Sequence, residues 1–284
     1  KNPLYLGSTV GRFANRINKG IFTLNGKKVE LHQNDVSNHL HGGFKGFSAK
    51  IWEVMEYCSN KVVFSLSSAD LDENYPGSLK TIVTYKINDE NQLNINFHTK
   101  PDEDTILNLT HHSYFNLNGN TAGNILDHEL KINADNITEI NSELVPTGEF
   151  LKVSDTPLDF KKSIKIGDRI NSNFYQIRYA DGYDHNYIIN NYEPNKIRKA
   201  ATLKSNKTGL KMVVKTDLPG IQFYSGNFLD GNFMGKNNER LKKHSGLCLE
   251  PQYFPDSPNH DHFPSTLIKK GKDYNHNIIY CLSF

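Results

Sequence analysis

An all-β sandwich or barrel is the fold class that the sequence predicts, and three observations carry it. Short segments with apolar residues at every second position recur from one end of the 284-residue chain to the other. Gly, Pro, Asn and Asp clusters separate them at close spacing. Helical periodicity is almost absent, so strands must bury most of the apolar surface.

The strands can be taken in order. Ile21-Phe22-Thr23-Leu24 and Lys27-Lys28-Val29-Glu30-Leu31 flank Asn25-Gly26, a pair that supplies the positive φ of a type I′ hairpin turn. Leu79, Thr81, Val83, Tyr85 and Ile87 alternate with mostly polar neighbours, and a turn over Asn88-Asp89-Glu90-Asn91 leads to Leu93, Ile95 and Phe97. That pattern predicts an antiparallel hairpin with one buried face. Further period-two runs fall at Leu130/Ile132/Ala134, Leu210/Met212/Val214/Thr216 and Ile278/Tyr280/Leu282/Phe284. One short helical piece is expected from Ser163 to Asn171. With no linker, internal repeat or low-complexity tract to divide it, the chain reads as a single domain over residues 1–284.

Composition narrows the function classes. A hydrophobic content of 37% and a mean hydropathy of −0.60 fit a soluble globular protein. The net charge is +2 with acids and bases interspersed, which points to neither a nucleic-acid nor a membrane partner. Cys58, Cys248 and Cys281 are far apart in apolar runs, as in a reducing, cytoplasmic setting without a disulfide framework. Three Asn-x-Thr sequons begin at Asn108, Asn136 and Asn206. The first falls inside a strand-like run, where a glycan would not fit.

Chemistry is expected where the alternation breaks. Leu107-Asn108-Leu109-Thr110-His111-His112-Ser113-Tyr114-Phe115-Asn116-Leu117 carries two adjacent imidazoles. On a strand they point to opposite faces, so only one reaches a ligand. Imidazole exchanges protons near neutral pH, which makes the run a candidate acid–base element. Gly11-Arg12-Phe13-Ala14-Asn15-Arg16-Ile17 sets two guanidiniums beside a glycine, and His41-Gly42-Gly43 lets backbone approach a ligand closely. Asp184-His185-Asn186 and Pro219-Gly220-Ile221-Gln222 add polar groups to strands. Glu250 ends the apolar run Leu247-Cys248-Leu249. Taken singly, each of these reads as turn or strand-edge structure; together they read as a sugar site.

In these segments the sequence resembles the aldose 1-epimerases, also called galactose mutarotases. The matching pieces are Gly11 to Ile17, Leu40 to Gly43, His112 to Leu117, Gly182 to Asn186, Pro219 to Tyr224, Gly226 to Gly231, and Cys248 to Glu250 with Gln252, Pro255 and Asp256. They occur in family order and cover essentially the whole chain. The resemblance implies a large antiparallel β-sandwich with an open concave sheet that binds a free aldohexose, without metal or organic cofactor, as a monomer or homodimer. By position it makes Glu250 the general base and His112 the general acid. Asn15, Arg16, His41, Asp184 and Gln222 become hydroxyl and ring-oxygen partners. Position 111 is a histidine where relatives usually carry asparagine. Relatives also carry strands ahead of the Gly-Arg motif, so the chain is expected to lack N-terminal strands of the outer sheet.

Anomeric interconversion suits these residue types. Opening the ring needs a base at the C1 hydroxyl and an acid at the ring oxygen, and closing it reverses both roles. The resting pair is expected as carboxylate and imidazolium, each charge favouring the other. Two alternatives keep the sandwich: a non-catalytic sugar-binding module, or a glycoside hydrolase using Asp184 as a second carboxylate. His260-Asp261-His262 has the spacing of two metal ligands on a strand, but its proline-rich setting predicts a loop. No added basic cluster marks a phosphosugar site.

Overall fold

The computed structural model describes residues 2–120 and 122–284. Two antiparallel sheets dominate it. The smaller runs through six strands in the spatial order Tyr114–Phe115, Leu247–Gln252, Gly220–Tyr224, Asp184–Ile189, Ala134–Ile140 and Pro146–Lys152. The larger has nine, ordered Ile164–Lys165, Glu129–Ile132, Arg198–Lys204, Lys211–Thr216, Tyr274–Ser283, Gln92–Pro101, Leu79–Ile87, Lys61–Ser68 and Glu53–Cys58. Ile221, Phe223, Leu247 and Leu249 of the small sheet share one core with Val83, Ile95, Phe97, Val214 and Ile278 of the large sheet. The expected sandwich is therefore the observed one. No helix among the described residues is long and apolar enough to cross a membrane.

Local chemistry explains the hairpins. Asn25 and Gly26 both take positive φ, 50° and 75°, and the flanking strands Ile21–Leu24 and Lys27–Glu30 pair in register. Leu79–Ile87 and Gln92–Pro101 form the long expected hairpin, with Val83 opposite Phe97 on the buried face.

Two expectations need correction. The segment from Ser163 to Asn171 is not helical. Ile164–Lys165 pairs with Glu129–Leu130, and a single 3₁₀ turn, Ile166–Asp168, follows. The amides of Ile166 and Gly167 donate to the carbonyls of His128 and Leu126, so hydrogen bonds to a neighbouring segment replace those of a helix. The α-helix among the described residues lies later, at Tyr175–Ala180. The two-histidine run is also not one continuous strand: Thr110–His111 pairs with Thr9–Val10, Tyr114–Phe115 pairs with Leu247–Cys248, and the chain switches partners between them.

The sequence reading grouped Arg12 with Arg16, and the structure separates them. Arg12 is 2% exposed. Its guanidinium donates to the carbonyls of Ser68, Ala69, Pro76 and Gly77 and to the Ser68 hydroxyl. It therefore ties the Ser68–Gly77 loop to the Gly-Arg segment. Arg12→Met strands these carbonyls without donors and should cost about 3 kcal/mol or more of stability. A shift in the urea unfolding midpoint measures it.

Candidate active site

Strand alternation divides the small sheet between two tasks. Register places Asp184, Tyr224 and Cys248 in one cross-strand row, continued by Tyr114. Asn186, Gln222 and Glu250 form the next row on the same face. The intervening rows, His185–Phe223–Leu249 and Tyr187–Ile221–Pro251, turn the other way, into the core. Because the period is two, one register fixes both the packing face and the chemical face.

Loops close over that polar face. His41 and Asn15 lock together: the Asn15 amide donates to His41 Nδ1 at 3.1 Å, and the His41 amide donates to the Asn15 carbonyl. With Nδ1 serving as acceptor, the neutral ring carries its proton on Nε2. The neighbouring backbone packs too closely for any side chain. Gly42 sits at φ +84°, and a Cβ there would lie 1.9 Å from the Gly11 carbonyl oxygen. Arg16 pairs through Nε with Asp35 at 2.8 Å, which orients its guanidinium.

A cavity of about 140 Å³ lies between loops and sheet. Every predicted site residue lines it: Asn15, Arg16, His41, His112, Asp184, Gln222 and Glu250. His112 is held by reciprocal backbone bonds, its carbonyl accepting from Gly7 and its amide donating to Ser8. Its Nε2 lies 3.8 Å from Glu250 Oε2, too far for a direct hydrogen bond. Gln222 donates to Asp184 at 2.7 Å. Glu250 Oε2 is buried and has no hydrogen-bond partner within the protein.

The electrostatics differ from the expected ion pair. Burial pushes Glu250 well above the usual carboxylate range, and Asp184 adds to the rise. Burial likewise lowers His112 to about 4. Each group thus favours its neutral form, because desolvation of two charges outweighs attraction across 3.8 Å. The proton count is unchanged. A protonated Glu250 with neutral His112 holds one proton, as does the carboxylate–imidazolium pair.

His111 faces the opposite way. It lines a separate cavity of about 380 Å³ with Phe47, Trp52, Phe64, Val83 and Tyr85, and its Nδ1 lies 2.9 Å from the Ser113 hydroxyl. That cavity is larger, but its walls, which also include Ser8, Thr9, Ser48 and Lys50, hold no carboxylate to pair with the imidazole. His111→Asn should leave kcat within about threefold, far from the roughly 10²–10⁴-fold of an acid–base residue; kinetics on the purified variant check this.

Sequence reasoning missed four aromatic wall residues, Tyr5, Tyr114, Tyr224 and Phe228. Two were within reach of it, since Tyr224 stands two residues from Gln222 and Tyr114 two from His112. Tyr5 required the fold: its ring centroid lies 4.6 Å from that of His41 and 5.8 Å from that of His112. His260 and His262 both lie against protein partners. The first meets Asp256 and the second the Gly148 carbonyl.

Comparison with known proteins adds independent evidence. The family model described as aldose 1-epimerase matches residues 1–281. A galactose mutarotase of Bos taurus is 43% identical over 276 residues, covering 97% of this chain and 78% of that protein. An aldose 1-epimerase of Escherichia coli is 34% identical over 273 residues, 95% of this chain and 78% of its own length. Among solved structures, an aldose epimerase homologue from C. elegans superposes with a TM-score of 0.89 at 32% identity, covering 99% of this chain and 83% of that one.

Proposed function

Since the chain belongs to the aldose 1-epimerase family and is an isomerase of the mutarotase type, we propose that it interconverts the α and β anomers of free D-galactose and D-glucose, with Glu250 as general base and His112 as general acid. One observation carries the assignment of roles. Glu250 and His112 stand 3.8 Å apart at a single small cavity whose other polar walls are hydroxyl partners.

The chemistry runs as follows. Sugar hydroxyls entering the site solvate the carboxylate and move the pair's single proton from Glu250 to His112; ionised Glu250 then takes the proton of the C1 hydroxyl while protonated His112 delivers one to the ring oxygen, and the C1–O5 bond breaks. The sugar is then an open aldehyde, and the pair has become protonated Glu250 and neutral His112. That is the form burial favours, so the environment stabilises the open-chain stage. Rotation about C1–C2 presents the other carbonyl face. Closure returns both protons by the reverse route.

Arg16, Asn15, His41, Asp184 and Gln222 bind the hydroxyls and ring oxygen, and a fixed array of donors and acceptors needs little reorganisation as charge develops. The Gln222–Asp184 bond orients both for a shared hydroxyl. Polarimetry of freshly dissolved α-D-galactose tests the proposal. Equilibration well ahead of buffer is the expected result, and equilibration at the buffer rate rejects it. Methyl galactoside should remain intact, which separates this reading from a hydrolase; repeating the run with α-D-glucose tests the breadth of substrate.

A further inference from the structure

Behind the pocket wall lies a side chain that sugar chemistry does not use. Cys248 lies two residues from Glu250 on the Leu247–Gln252 strand, so its thiol faces the same side. It is buried and unpaired, and its Sγ lies 3.4 Å from His112 Nδ1. One ligand atom each from His112, Cys248 and Glu250 can be chosen so that all three lie within 4.8 Å of one another. Glu250 Oε2, buried and without a protein partner, supplies an unsatisfied acceptor aimed into the cluster.

We propose that this triad binds a thiophilic divalent cation, zinc being the natural probe, and that the cation blocks the enzyme rather than serving it. Zinc–ligand bonds of about 2.0–2.3 Å in a tetrahedron put neighbouring ligand atoms about 3.5 Å apart. Sγ lies 3.4 Å from Nδ1 and Glu250 Oε2 3.8 Å from Nε2, each near that value to its own ring nitrogen, and a rotation of the imidazole brings one nitrogen to bear on both neighbours. The nitrogen, sulfur and oxygen donor set suits zinc, cadmium or cobalt and not calcium or magnesium. Ligation itself draws the proton from Glu250, whose carboxyl lines the cavity together with that of Asp184, while Arg16 is engaged by Asp35. On binding, the Cys248 thiol proton and the Glu250 carboxyl proton both leave to solvent, the His112 nitrogen, the sulfur and the carboxylate each donate a pair to the metal, and water completes the shell. No electron is transferred.

Two arms test this, the second resting on the pocket's assignment as the sugar site. In the first, cobalt(II) titrated into the intact protein should give a thiolate-to-cobalt charge-transfer band in the near ultraviolet. The band should vanish in Cys248→Ser and in Cys248→Ala and persist in Cys58→Ser, whose thiol is exposed. Absence of the band, or its survival in both Cys248 variants, overturns the metal site. In the second, zinc should raise KM for galactose without changing kcat. The concentration giving half-inhibition, referred to each protein's own uninhibited rate, should rise in Cys248→Ser by at least the 10- to 100-fold that loss of even an outer-shell partner costs. A cobalt band that disappears with Cys248, together with inhibition that galactose fails to relieve, overturns the competitive block and the sugar assignment while leaving the metal arm intact.

Discussion

Glu250→Gln is expected to lower kcat for galactose mutarotation by about 10³-fold, within the 10²–10⁴ range typical of a positioned acid–base group. Glutamine keeps the size of the side chain and a hydrogen-bonding oxygen, so the strand and its neighbours Leu249 and Pro251 should pack as before. What it loses is any capacity to take the C1 proton. The remaining walls of the cavity, Arg16, His41, Asp184 and Gln222, still meet the hydroxyls, so titration calorimetry should register galactose binding within about tenfold of the wild type, or about 1.4 kcal/mol. Full activity in the variant would remove Glu250 from the mechanism; lost binding together with lost activity would make it a structural group.

His112→Asn should produce a loss of similar size, about 10²–10⁴-fold, for the complementary reason. Asparagine can donate a hydrogen bond to the ring oxygen but cannot release a proton to it. The backbone bonds from Gly7 and to Ser8 that hold position 112 do not involve the side chain, so the fold should persist. Both groups act in one transition state, so the double variant should lose little beyond the worse single one. Rates measured on all three proteins decide it. Additive losses would mean that the two residues act in separate steps.

Much of this was legible in the sequence because strand periodicity is local. Alternation located the Leu79–Pro101 hairpin with its turn over Asn88–Asn91, and Asn25-Gly26 announced the turn of the Ile21–Glu30 hairpin. The polar interruptions named every wall residue that breaks an apolar run, from Asn15 to Glu250. What stayed hidden depends on contacts distant in sequence. Tyr5 enters the site only because the chain start folds over His41. The segment after Ser163 lost its helix to carbonyls some forty residues earlier. The protonation of the Glu250–His112 pair escaped for the same reason. Opposite charges suggest an ion pair, but only the folded protein shows how completely both groups leave water.

The division of the small sheet into a packing face and a chemical face bears on how the enzyme can change over evolutionary time. Residues 184, 222, 224 and 250 line the pocket, while 187, 221, 223 and 249 build the core. Apart from Glu250, which carries the chemistry, substitutions in the first set act mainly on substrate choice, and those in the second mainly on stability. A lineage can therefore drift toward another aldose one pocket residue at a time while its folding reserve stays intact.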